Sequence, residues 1–386
     1  MEKPEGITDF SLIGGPLYRL GCRLGLVRGG SNSVALGLAL GVFLWAVLVT
    51  LVLTGGGPPV SSLSVIGAHV RLLVVIPLLF VCESAFDPRA ATFVRGLVSS
   101  KIVPPDALQA LEARIARTAR WRDSWLPELV CLVAAGLLSL AAPRLPLWGA
   151  TAAHDPSRAV SEMTWAGLWY WTVCLTLFRF LLLRWLWRLG LWCWFLWRVS
   201  RLDLHLVPTH PDGAGGLGYL EVVHTHLDPL VLAISAVQAA SFAEGLSSGT
   251  MAFAEVYPAL ALVLVLEAAL VIGPLFIFSP GLWACRVKGL SDYMEFAATY
   301  VGGFERKWLG AGAPPGEPLL GTPDLQSLAD LNNSVTVVRN MRVVPVSPRM
   351  LRGFAMAALL PFLPLALLKY PVAELARRFF ERLSGL

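Results

Sequence analysis

Residues 33–54 read SVALGLALGVFLWAVLVTLVLT and carry no charged side chain. Roughly 20 helical residues of this kind cross the hydrocarbon of a bilayer. No water is available there, so each backbone N–H and C=O must be satisfied within the segment, as an α-helix does. The stretch is therefore expected to span a membrane, and it decides the class: all-α, a polytopic transmembrane helical bundle. Further apolar runs follow at 65–86, 124–142, 165–201, 229–246, 257–278 and 353–368, so about seven spans are expected. Composition agrees. The chain of 386 residues is 56% hydrophobic and 15% charged, against about 25% charged residues in soluble domains.

The net charge of +5 does not point to nucleic acid, because the basic residues lie beside the apolar runs on one side. Arg19, Arg23 and Arg28 precede the first run. Arg89, Arg95, Lys101, Arg114, Arg117, Arg120 and Arg122 separate the second from the third. Arg286, Lys288, Arg306, Lys307, Arg339, Arg342, Arg349 and Arg352 fall between the sixth and the last. That is the positive-inside pattern, which predicts a cytoplasmic N-terminus in a bacterial inner membrane. No small-residue cleavage site follows the first run, so no secretory signal is expected. The six cysteines form no CxxC pair and are expected as free thiols.

The expected organisation is a cytoplasmic segment at 1–32, six spans at 33–278, a cytoplasmic helical segment at 279–352, and the last span with an interfacial tail at 353–386. Within the bundle lie a basic loop, 87–123, and a His- and Gly-rich loop, 202–228. Leu108, Leu111 and Ile115 share a helical stripe in the basic loop. The fourth run is overlong. At 1.5 Å per residue it would reach about 55 Å, against about 30 Å of hydrocarbon, so the fourth helix projects into the cytoplasm or bends near Gly190. The sixth is also expected to extend inward. Tryptophans cluster at both ends of the fourth run, Trp165, Trp169 and Trp171, then Trp185, Trp187, Trp192, Trp194 and Trp197, which suits the two interfaces. Thr322, Pro323 and Asp324 read as the start of a helix running to Arg339. Pro361 and Pro364 bend the short last span. The tail from Pro371, with Val372, Leu375, Phe379 and Leu383 on one stripe, reads as an interfacial helix.

Chemistry concentrates in the loop after the fourth span. His205, His210, His224 and His226 are four of the six histidines, and Asp212 and Asp228 lie among them. Imidazole and carboxylate together suit a divalent metal such as zinc, iron or manganese, and His224 and Asp228 share a helical face. The alternative is a polar turn in which the histidines bond backbone carbonyls. Gly213, Gly215 and Gly218 form a literal GxGxxG, but no strand precedes it, so the glycines, Gly216 included, are read as turn residues. Ionisable groups within spans are costly there and mark candidate ion pathways: Glu267 mid-span, Glu244 and Arg179, with His69, Arg71 and Glu83 nearer the ends of the second span. No GxSxG appears, and an enzyme is the lesser reading.

Two phrases carry a resemblance: HPDGAGGLG at 210–218, and TPDLQSLAD at 322–330 leading to RNMRVVP at 339–345. They resemble a family of bacterial multi-pass membrane proteins, which implies the class and no activity. The layout is also similar to the insect chemoreceptor-type channels. That likeness implies a homo-oligomer in which 322–339 assembles the cytoplasmic anchor and 353–368 lines the pore. The leading expectation is a homo-oligomeric ion channel or conduit in lipid. The alternatives are a metal-binding enzyme or sensor and a structural subunit that docks a cytoplasmic protein.

Overall fold

The computed structural model describes residues 10–23, 25, 33–55, 66–141, 164–310 and 322–365, and every regular element among them is helical. The expected outer turn at 55–64, the loop with His154 and Asp155, and the tail from Pro371 lie essentially outside the described residues.

A short helix α1 (Pro16–Arg23) precedes α2 (Ser33–Gly55), the apolar run that opened the reading. Helix α3 spans Ile66–Ser99, with one π-turn at Val70–Val75. It does not stop near Phe86. Pro88 sits inside it, so the first part of the expected basic loop is helix, and α3 is about 50 Å long at 1.5 Å per residue. It ends where Lys101 takes a positive φ of 56° and Val103 N–H bonds the Leu97 carbonyl at 3.0 Å. Helix α4 (Pro105–Asp123) buries the expected Leu111 and Ile115. It meets α5 (Trp125–Ala141) at a 43° bend.

Helix α6, Trp165–Ser200, is the axle of the bundle. Thr164 caps it by accepting from Gly167 N–H at 3.2 Å. It runs straight through Gly190 as α-helix, and its irregularity is a π-turn at Tyr170–Cys174. The tryptophans divide differently from the expected interface belts. Trp165 and Trp197 are exposed, while Trp185 and Trp192 are buried in the core. Trp192 packs edge-on to Phe86 and Phe93 and stacks with Phe195. The indole of Trp185 donates to the Leu79 carbonyl at 2.9 Å. An indole N–H this deep needs an acceptor, and each of these has one.

Helix α7 (Tyr219–Thr225) leads through a tight turn into α8 (Asp228–Ser247), and α9 spans Phe253–Val271. The sixth helix is not one long rod. It stops at Val271, a 3-10 turn at Gly273–Phe278 carries Pro274, and α10 (Ser279–Glu305) starts afresh. Proline removes a backbone donor and restarts the chain at a new first turn. Helix α11 (Pro323–Arg339) folds back on α10. Helix α12 (Pro348–Leu359), capped by Ser347, ends in a 3-10 turn at Leu360–Phe362. At about 18 Å it is shorter than a bilayer core.

Five described helices are long and apolar enough to cross a membrane: Ser33–Gly55, Ile66–Ser99, Trp165–Ser200, Tyr219–Ser247 and Phe253–Val271. The bent α4–α5 pair would make six. The protein is an integral membrane protein of the polytopic helical class.

Candidate functional site

The loop after α6 folds around one carboxylate. Asp212 accepts from the backbone N–H of Ala214 at 2.8 Å, Gly216 at 3.2 Å and Gly218 at 2.7 Å. The backbone can turn its amides inward because Gly213, Gly215 and Gly216 take positive φ, a region that L side chains avoid. His210 Nδ1 lies 2.9 Å from the same carboxylate. The N–H groups that would cradle a phosphate in a nucleotide loop thus already hold Asp212. Gly218, at φ −59°, closes the loop and leads into α7.

Arg342 locks this turn to the chain after α11. Its backbone N–H bonds the Gly213 carbonyl at 2.7 Å. Its guanidinium donates to the Asp212 carbonyl at 2.9 Å and to Glu221 at 2.7 Å, and Ser347 donates to the other Glu221 oxygen. The two phrases singled out in the sequence therefore meet in space and form an elbow. Neither Arg342 nor Glu221 stood out as a partner in the sequence, since nothing local pairs them across the intervening chain.

Burial acts to raise the Asp212 pKa, but the bonds from Ala214, Gly218, Gly216 and His210 outweigh it and hold the carboxyl below its ordinary 3.8. A depressed carboxyl stabilises the fold above its unfolded pKa, and that contribution disappears as pH falls through the folded value. Protection of the Ala214, Gly216 and Gly218 amides, relative to intrinsic exchange at the same pH, should therefore stay high at neutral pH and fall only below about pH 4. Asp212→Ala should lose about 2–3 kcal/mol and expose these three amides at every pH. Unchanged exchange in the variant would refute the keystone role.

The other candidate ligands are dispersed. His224 is fully buried. Its Nδ1 lies 2.6 Å from the Val271 carbonyl and its Nε2 accepts from the Trp192 indole at 3.1 Å. Both ring nitrogens are thus engaged by a neutral imidazole with its proton on Nδ1. His226 bonds the Val222 carbonyl at 2.7 Å and accepts from Arg89 at 3.3 Å. Asp228 begins α8 beside Gly353 of α12. His205 is exposed on a groove. Among the described residues, no three His, Cys, Asp or Glu side chains come together to hold a metal, and the described cysteines are all free.

The in-span candidates are also tied to groups of the same chain. Ser235 of α8 donates to Glu267 of α9, with 2.9 and 3.1 Å to its two oxygens. Glu244 of α8 accepts from Gly67 N–H of α3 at 2.7 Å. Arg179 of α6 donates to Ser139 of α5 at 3.0 Å. Arg71 reaches Tyr170 at 2.7 Å and Ser241 at 3.3 Å, and His69 accepts from Trp45 at 3.0 Å. Gaps beside Val237, Asp87 and Phe80 hold about 10 Å³ each, about one water.

Sequence reading also missed a buried ionic layer. Arg188 pairs with Glu83 at 2.7 Å and Arg184 with Glu128 at 3.1 Å. Beside them Asp87 accepts from Ser11 Oγ and from the N–H groups of Leu12 and Ile13, which draws Phe10 onto Trp192 and Phe195. The signal was present as Arg184 and Arg188 one turn apart in an apolar run, but helical spacing names no partner.

Beyond the elbow, α10 and α11 pack on each other as a hairpin. Gly289 seats α10 on Pro208 and Val338, where a Cβ would lie 2.6 Å from the proline. At the tip, Asp324 accepts from Lys307 at 2.8 Å and from Trp308 at 3.1 Å. A groove of about 1020 Å³ runs between its base and the end of α6, lined by Trp197, Arg201, Asp203, His205, Lys288 and Asp292 among others. Comparison with known protein families, with characterised proteins and with solved structures found no match.

Proposed function

We propose that this membrane protein is a homo-oligomeric assembly subunit: the bundle anchors it in the bilayer, and the α10–α11 hairpin joins the copies. The observation that carries this reading is α10 itself. It packs on α11 with one face, and its opposite face exposes Trp283, Val287, Met294 and Val301. Arg286, Lys288, Asp292 and Glu295 make it too polar to serve as a span. Apolar surface of this extent outside a bundle marks an interaction site.

The finer topology belongs to the same reading. About seven spans, with α5 and α12 counted, put the N-terminus, α4, the Asp212 elbow and the hairpin on the cytoplasmic side of a bacterial inner membrane, where their Lys and Arg residues are favoured. An ion conduit, if the oligomer forms one, runs between copies, because Glu267, Glu244 and Arg179 are each bonded inside the protomer.

Native mass spectrometry in mild detergent tests the assembly. The wild type should carry more than one copy of the chain. Val287→Glu with Met294→Glu should yield single chains with unchanged helicity, since both positions are exposed. A wild type that stays a single chain in detergent and in lipid nanodiscs overturns the reading.

A further inference from the structure

Helix α10 carries an unused heptad seam. Ala284, Val287, Ser291, Met294, Ala298 and Val301 alternate at spacings of three and four, and all six are exposed. The buried Leu282 and Gly289 lie on the opposite side, toward the elbow and α11. Small and apolar residues repeating in this way, with Ser291 the one polar member, make a seam for a second helix. The two positions of the heptad differ in size: Ala284, Ser291 and Ala298 are small, while Val287, Met294 and Val301 are large.

We infer that α10 of a second copy of this chain occupies this seam in antiparallel register, with Ala284 facing Val301, Val287 facing Ala298 and Ser291 facing Met294 across a twofold axis. The inference rests on the homo-oligomeric reading above and names its interface. Size decides the direction. Antiparallel pairing puts a small residue against a large one in every layer, and such layers interdigitate. Parallel pairing would stack small on small and large on large. Charge agrees: Lys288 and Glu295 stand on one flank, one heptad apart, and the same register brings each Lys288 opposite the partner copy's Glu295. A lipid surface fits less well, because interfacial helices flank their apolar face with Lys and Arg, whereas Glu295 lies on this flank and Glu305 extends the seam. The pairing is isologous. In one bilayer its twofold lies along the membrane normal, with α10 running along the surface.

The test is disulfide trapping in mild detergent between two differently tagged copies, in a background with Cys22→Ser and Cys285→Ser. Ala284→Cys in one copy should cross-link to Val301→Cys in the other, and Ala284→Cys alone should give no dimer. Lys288→Glu should weaken dimerisation about tenfold, and adding Glu295→Lys should restore it. Self-cross-linking of Ala284→Cys would mean a parallel pair and overturn the register. So would an oligomer that traps neither pair, although the assembly reading would survive it. A chain that stays single while brominated lipid quenches Trp283 would place the stripe in the membrane and overturn both.

Discussion

Glu83→Ala should cost about 3–5 kcal/mol, because it strands Arg188 in the middle of the bundle. The two side chains sit 2.7 Å apart with relative exposures of 10% and 8%. Arg188 comes from α6 and Glu83 from α3, so the pair clamps the axle helix to its longest neighbour. A charge left behind there is largely withdrawn from solvent, and desolvating an unpaired ion is costly. Replacing both, Glu83→Leu with Arg188→Leu, should cost far less than the sum of the single changes, since no charge is then orphaned. Unfolding by SDS titration from mild detergent would measure the cycle. Additive losses would show that the two charges do not act as a pair.

Gly41→Leu should unseat α2 from the bundle at a cost of about 3 kcal/mol or more. A Cβ at Gly41 would collide with the Leu72 carbonyl oxygen, and one at Gly37 would lie 2.6 Å from the Phe80 ring. A phenyl ring can turn aside, whereas a backbone carbonyl inside α3 cannot. Small residues four apart let membrane helices approach this closely, and packing rather than water drives the association. Gly190→Ala is the control: nothing lies within 4 Å of a Cβ there, so it should gain about 0.5–1 kcal/mol. Thermal denaturation of the three proteins in one detergent would read both effects. A Gly41→Leu protein as stable as the wild type would show that α2 docks some other way.

The elbow shows where sequence reading stops. Asp212 and the glycines after it were legible as a turn, because positive φ and a side chain bonding its own following amides are local matters. Arg342 was legible only as one of many basic residues. Its three bonds to Asp212, Gly213 and Glu221 depend on α11 returning to the base of α10, which no local pattern encodes. The same holds for the histidines. His224 and His226 clustered along the chain as metal ligands do, yet helix α7 turns the first into the core against Trp192 and the turn after it points the second toward Arg89. Glu267 was singled out by its depth, and the fold assigned it to Ser235.

By itself, the sequence determined the membrane class and the positions of the principal helices. Length and hydropathy act residue by residue, and a backbone in hydrocarbon has almost no choice but to be helical. The tertiary structure alone decided which charges neutralise one another, which glycines touch backbone, and which side of α10 packs on α11 and the elbow. Each of these depends on groups far apart in the chain, and what a side chain does is set by the neighbour that packing brings to it.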